Sequence, residues 1–167
     1  MKGSFEEQTD LRFISKGDTA FKIHIHLPDD TVVHRSVGFV RIGEKNALKK
    51  AIRLRDSIGK KSWGSHWRKI LLDPDVFLRL PHSLEPTLIM KHKPTIDEPD
   101  RKIPYYIAKW CISHENGKRK YKSMLASVER YGKLGAYNRA KRALMEAHRD
   151  ILPILTRLER FNIVKLK

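Results

Sequence analysis

The chain has 167 residues, with 35 Lys and Arg against 19 Asp and Glu, a formal net charge of +16 and a single cysteine. That length suits one ordinary domain or two small ones with thin cores, and the charge favours a polyanionic partner: DNA, RNA or an acidic membrane surface. One cysteine excludes an intrachain disulfide, and no stretch approaches the roughly 18 apolar residues of a membrane span.

In chain order, LRFISK (residues 11–16) is a short extended run closed by the turn signal Lys-Gly-Asp. Phe21, Ile23, Ile25 and Leu27 then alternate with Lys22, His24 and His26, the period of a half-buried strand. Pro28-Asp29-Asp30 turns the chain, and TVVHRSV (residues 31–37) completes a three-stranded antiparallel meander. From Glu44 the period lengthens. Ala47, Leu48, Ala51, Ile52, Arg55 and Ile58 mark one face of a helix, Lys49, Lys50, Arg53 and Arg55 its charged margins, and Gly59 a stop.

Residues 62–81, with Trp63, Trp67, Ile70, Leu71, Phe77 and Leu80, are too apolar for a free linker and predict a short packed helix. TLIMKHK (residues 87–93) reads as the first strand of a second meander, followed by a long loop through IDEPDRK. Tyr106 and IAKWCI form the next strand, ENGK a hairpin turn and RKYKSM the third strand. A helix over residues 133–148 turns Ala136, Ala140, Ala143, Leu144 and Ala147 inward, and Pro153 opens a last helix over 153–160.

The two halves overlay. Residues 21–36 lie on 108–123 without a gap, and residues 40–58 on 129–147, superposing Gly43 on Gly132, Ala47 on Ala136 and Ala51 on Ala140. The expected fold is therefore α+β, two tandem units of a three-stranded antiparallel sheet packed on one amphipathic helix, with extra short helices in the linker and at the C-terminus. The expected divisions are residues 10–61, a packed linker 62–86, residues 87–150, and a C-terminal helix and tail 151–167.

The stretch KWCISHENGKRKYKSMLASVERYGKLGAYNRAKRAL resembles the Apetala-two domain of plant ethylene-response factors, and is closer to its divergent apicomplexan, bacterial and phage versions. It shares a Trp-centred strand, an Asn-Gly-Lys turn, a Lys-Ser strand, the Tyr-Gly of the family's Lys-Tyr-Gly and an alanine-rich helix. RSVGFVRIGEKNALKKAIRLRDSI is similar in the first unit. Ile23 stands there against Trp110, Asp29-Asp30 against Asn-Gly, and Met124 occupies a position that is usually aromatic in the family. The resemblance implies a sheet laid in the DNA major groove with the helix bracing its far side. It implies no cofactor.

Alternation makes the groove-facing set concrete. If Trp110 and Ile112 face the helix, Lys109, Cys111 and Ser113 face away. The resemblance puts Arg119 and Tyr121 on that outer face too, and Lys91 and Lys93 are candidates to join from the first strand. In the first unit the matching set is Lys22, His24 and His26, then Val32 and His34, with Arg12 or Lys16 ahead. Arg119 is the first candidate for a base contact, because a guanidinium donates twice to guanine O6 and N7. Lysines suit phosphates, which position the protein without encoding sequence.

His24, His26 and His34 also admit a zinc reading, but no second cysteine helps and the spacing matches no finger or knuckle, so no metal is expected. No Gly-rich phosphate loop, His-Glu metal motif or activated nucleophile is evident, so no enzyme and no small-molecule substrate are expected. MKGSFEEQTD has no apolar signal core, which with the lone cysteine predicts an intracellular protein, cytoplasmic or nucleoid-associated in a bacterium or phage and nuclear in a eukaryote. The expected partner is double-stranded DNA bound by a transcription regulator, with a homo-oligomer left open and no membrane. The alternative is a basic RNA-binding or nucleoprotein-scaffold protein without base readout.

Overall fold

The structure, a computed structural model, describes residues 11–161. The N-terminal ten residues and residues 162–167 of the expected tail lie outside that range. The protein is α+β, with two three-stranded antiparallel sheets and accompanying helices. It divides into two compact units, Met1–Pro74 and Asp75–Lys167, with the division falling within residues 62–86. Among the described residues no helix is long and apolar enough to cross a membrane.

In the first unit β1 (Ile14–Lys16), β2 (Ala20–His26) and β3 (Val32–Gly38) follow one another in the sheet. Phe21, Ile23 and Ile25 are buried, and Lys22, His24 and His26 between them are exposed. β1 starts later than the run from residue 11 because Phe13 is left-handed (φ 64°) and follows a turn closed by Ile14 N–H on the Leu11 carbonyl. In the β2–β3 turn, the Asp29 carboxylate accepts from the Thr31 hydroxyl and backbone N–H. These bonds, the hydroxyl's first, hold Asp29 below the usual carboxylate range.

Helix α1 (Glu44–Trp63) buries Ala47 and Ala51, as the periodicity predicts. It does not stop at Gly59. A Cβ on Gly59 would lie 2.3 Å from Trp67 Cε2, so the glycine lets the indole rest on the helix backbone. Glycine costs a helix about 1 kcal/mol, and burying an indole offsets that. Four residues on, Trp63 is buried and its Nε1–H donates to the His26 carbonyl at 2.8 Å, tying the end of α1 to the end of β2. Arg55, expected both on the periodic face and at its charged margin, is 2% exposed. Its Nε donates to Asp56 Oδ1 at 2.9 Å and its Nη1 to the Arg12 carbonyl at 3.2 Å, so the buried charge is paired. A turn of 3-10 helix (Gly64–His66) leads to α2 (Trp67–Leu72), which buries Trp67 and Ile70.

The second unit comprises α3 (Val76–Arg79), β4 (Thr87–His92), β5 (Lys102–Glu115), β6 (Lys118–Ser127) and α4 (Val128–Ala147). A 3-10 turn (Arg149–Ile151) then leads to α5 (Leu152–Arg157). β5 begins four residues before the expected Tyr106 and runs through Pro104. That proline precedes Tyr105, where pairing with β6 begins, so it interrupts no ladder on that side. Asn116 (φ 50°) and Gly117 (φ 75°) form the tight hairpin turn expected of Asn-Gly. Ile151, Ile154 and Leu155 are buried, so the C-terminal helix is part of the core.

Ahead of β4, Glu85 accepts from the Tyr137 hydroxyl and from the buried Lys141 ammonium of α4. Burial first, and then the Glu85 carboxylate, push the Tyr137 phenol up to about 12.

The repeat is visible in backbone detail. Phe21 pairs with Val37 and Ile23 with Arg35, and in the same alignment Ala108 pairs with Met124 and Trp110 with Lys122. Gly43, at the start of α1, has φ 78° and ψ 153°, and Gly132, where α4 breaks after its first turn, has φ 70° and ψ 165°. This corner of backbone space is open essentially to glycine alone. Ala47, Ala51, Ala136 and Ala140, which follow at matching positions, all have 0% exposure. The helix expected from Lys133 therefore corresponds to α4 beyond the Gly132 break.

Candidate nucleic-acid interface

In the first unit the register sets the exposed face of the sheet. Lys22 pairs with Ser36 and Ser15, His24 with His34, and His26 with Val32, so these side chains share the side opposite Phe21, Ile23 and Ile25. His24 Nδ1 and His34 Nδ1 are 2.7 Å apart, with ring planes at 85°. One imidazole must donate and the other accept, and a second proton on both rings would break the bond. Among the described residues there is no group of three or more His, Cys, Asp or Glu placed to hold a metal.

Two of the expected residues are not on this face. Lys16 pairs with Phe21, on the buried side, and its ammonium bonds Glu44 of α1 at 2.8 Å and lies 5.7 Å from the Phe39 ring centroid. The turn after Lys16 fixes this parity, giving the outer position to Ser15. Arg12 precedes β1, half-buried, with its guanidinium 4.8 Å from the Phe13 ring centroid.

In the second unit Tyr106, whose ring meets Tyr137 of α4 edge-on at 5.5 Å, lies with Ala108 and Trp110 on one side of β5. Tyr105, Ile107, Lys109 and Cys111 take the other side, paired with Ser127, Leu125, Ser123 and Tyr121 of β6. The Lys109 ammonium sits 4.6 Å from the Tyr121 ring centroid, and that of Lys91 6.0 Å from Tyr105, which places Lys91 on the same face. Lys93 lies just past β4, with its N–H on the Arg101 carbonyl at 2.8 Å.

The expectation that Ile112 faces the helix is overturned. The β5–β6 register slips between Cys111 and Ser113, and Ile112, the extra residue, is 42% exposed. The bulge has a consequence at the hairpin tip, since it shifts later β5 residues by one face and sets His114 opposite Arg119. Arg119 keeps the parity of Tyr121 along β6, so the outer face carries Lys91, Lys109, His114, Arg119 and Tyr121. Trp110 is half-buried.

Sequence reading missed Tyr105, Ile107, His114 and Leu125 on this face. For Tyr105 and Ile107 the signal lay in IPYYIAKWCI, which is apolar in both parities. Comparison of the chain with protein-family models, with curated proteins and with solved structures finds no match.

Proposed function

We propose that the protein is a sequence-specific double-stranded DNA-binding protein, a transcription regulator built from two Apetala-two-like modules. Each module would be a sheet braced by one helix and laid outer face first in the major groove. The observation that carries this reading is the recurrence of one unit, down to the Gly43 and Gly132 conformations, with exposed basic side chains on the outer sheet face of each copy. A β-sheet or ribbon fits the B-DNA major groove, where each base pair has its own donor and acceptor pattern.

Arg119, near the hairpin tip, is the residue assigned to guanine, with Lys22, Lys91 and Lys109 serving phosphates or bases. Lys16 and Arg12 leave the set, since Lys16 pairs with Phe21 on the other side of the sheet and Arg12 precedes β1. Linking two modules raises apparent affinity through effective concentration when both engage one duplex.

A specific observation supports the second reading, a basic RNA-binding or nucleoprotein-scaffold protein. Tyr121 is 48% exposed and Tyr105 shares its face, and exposed aromatics on a sheet are how many RNA readers stack bases. Competition between duplex DNA and structured RNA at physiological salt separates the two. The DNA reading expects duplex to win, and expects Arg119→Ala to lose more affinity on a preferred duplex than on a scrambled one. Equal losses on both would remove the base-contact assignment, and preference for RNA would replace the reading.

A further inference from the structure

The outer faces of the two sheets differ in chemistry. In the first unit the cross-strand pairs are Lys22–Ser36, His24–His34 and His26–Val32. In the second, Ile107 pairs with Leu125 and Cys111 with Tyr121, with Tyr105 one step further along. Leu125 is 37% and Tyr121 48% exposed, and Tyr105, Ile107 and Cys111 beside them are half-buried. A strand with one solvated side places polar residues there, as β2 does and β5 does not. Apolar surface left in water forfeits burial free energy, so such a row points to a partner that covers it.

Charge narrows the partner. Lys91, Lys109 and Arg119 flank or cross the row, and the nearby carboxylates are engaged: Glu129 with Arg101 at 3.2 Å, and Glu115 with Lys120. Cations around an apolar strip suit a surface whose edges are phosphate and whose floor offers apolar groups. In the major groove of duplex DNA the apolar group on a base edge is the pyrimidine C5-methyl.

We infer that the outer face of the second sheet recognises pyrimidine C5-methyl groups, those of thymine or 5-methylcytosine, through Ile107, Tyr121 and Leu125. The inference rests on the DNA-binding reading and adds a base chemistry to it. Arg119 and Leu125 are six residues apart on β6, about 20 Å at strand rise, or about six base steps of 3.4 Å. The guanidinium at the hairpin tip and the apolar pair at the other end therefore address different base pairs of one site.

The test uses the intact chain and a duplex recovered by selection, with binding followed by fluorescence anisotropy. In one arm every thymine becomes deoxyuridine, which removes the C5-methyl and nothing else. In the other, cytosines become 5-methylcytosine. The expected result is about fourfold weaker binding per contacted thymine methyl, the ratio that burying one such group gives, or a similar gain on cytosine methylation. The first outcome identifies thymine as the source of the methyl, and the second methylcytosine. An Ile107→Thr, Leu125→Thr variant should bring the ratio towards one. The wild-type arms stand alone if that variant fails to fold. A duplex that is bound equally with and without methyl groups overturns the inference and leaves the DNA reading intact, whereas no duplex preference at all overturns both.

Discussion

Replacing Gly43 or Gly132 by alanine should destabilise its own unit, although an ideal Cβ at either position meets no atom within 4 Å. Sterics with neighbours contribute nothing, so the cost is the residue's own backbone. At φ 78°, ψ 153° and φ 70°, ψ 165° a non-glycine residue is strained by about 1–3 kcal/mol. Alanine returns about 0.4–1 kcal/mol by stiffening the unfolded chain, leaving a net loss of about 1–2 kcal/mol. Gly135 is the internal control, since no positive φ constrains it and its Cβ would sit at ordinary contact, 3.4 Å from Tyr131 Cβ. Gly135→Ala should gain about 0.5–1 kcal/mol through helix propensity. Urea denaturation followed by fluorescence gives the readout, with Trp63 and Trp67 reporting the first unit and Trp110 the second. With a slope of about 1–1.5 kcal/mol/M, the losses move the midpoint down by roughly 1 M. Neutral or stabilising Gly43→Ala and Gly132→Ala would refute the claim that this shared corner is needed by both copies.

Gly59→Ala should cost about 1–3 kcal/mol by overpacking, despite alanine's better propensity, because its Cβ would overlap the Trp67 indole; a raised urea midpoint would count against that packing. In an absorbance titration Tyr137 should ionise near pH 12, and Glu85→Gln should lower it only part of the way, because burial, the larger cause, remains. Folding favours the protonated phenol, so this contribution is complete below pH 10 and is lost as the pH rises through about 12; titration near 10 in the wild type would contradict the buried contact. Lys141→Ala leaves Glu85 without its buried cation and should destabilise the second unit more than Lys16→Ala does the first. Lys16–Glu44 is an exposed pair of the kind worth about 0–1 kcal/mol. Equal midpoint shifts for the two variants would remove that distinction.

Much of the fold was legible because it rests on short-range periodicity: Phe21, Ile23 and Ile25 at period two, Ala47 and Ala51 one helical turn apart, and Asn-Gly at a hairpin. The departures come from long-range choices. Gly59 reads locally as a stop, and only the arrival of Trp67 from eight residues on makes it a packing site. Arg55 reads as face by its period and as margin by its charge, and Asp56 and the Arg12 carbonyl, by closing around it, decide for the face. The candidate site suffers most from such effects, because each face assignment depends on register. One turn decides whether Ser15 or Lys16 faces out, and one bulge at Ile112 moves His114 to Arg119's face. By contrast Lys22, His24, His26 and His34 follow directly from unbroken alternation. The β5 side of the apolar row, Tyr105 and Ile107, was written in IPYYIAKWCI, but a strand apolar in both parities does not declare which side is covered by a helix.

Selection of binding sites from a randomised duplex library, at physiological salt and with excess non-specific DNA, tests the central claim most directly. Salt suppresses binding that rests on phosphate contacts alone. Two duplicated modules that both read bases should recover an extended or bipartite motif, which shrinks to one short element when the outer-face residues of either unit are removed. Retained binding with no enriched sequence would contradict the account, leaving a basic surface that holds the nucleic-acid backbone without reading it.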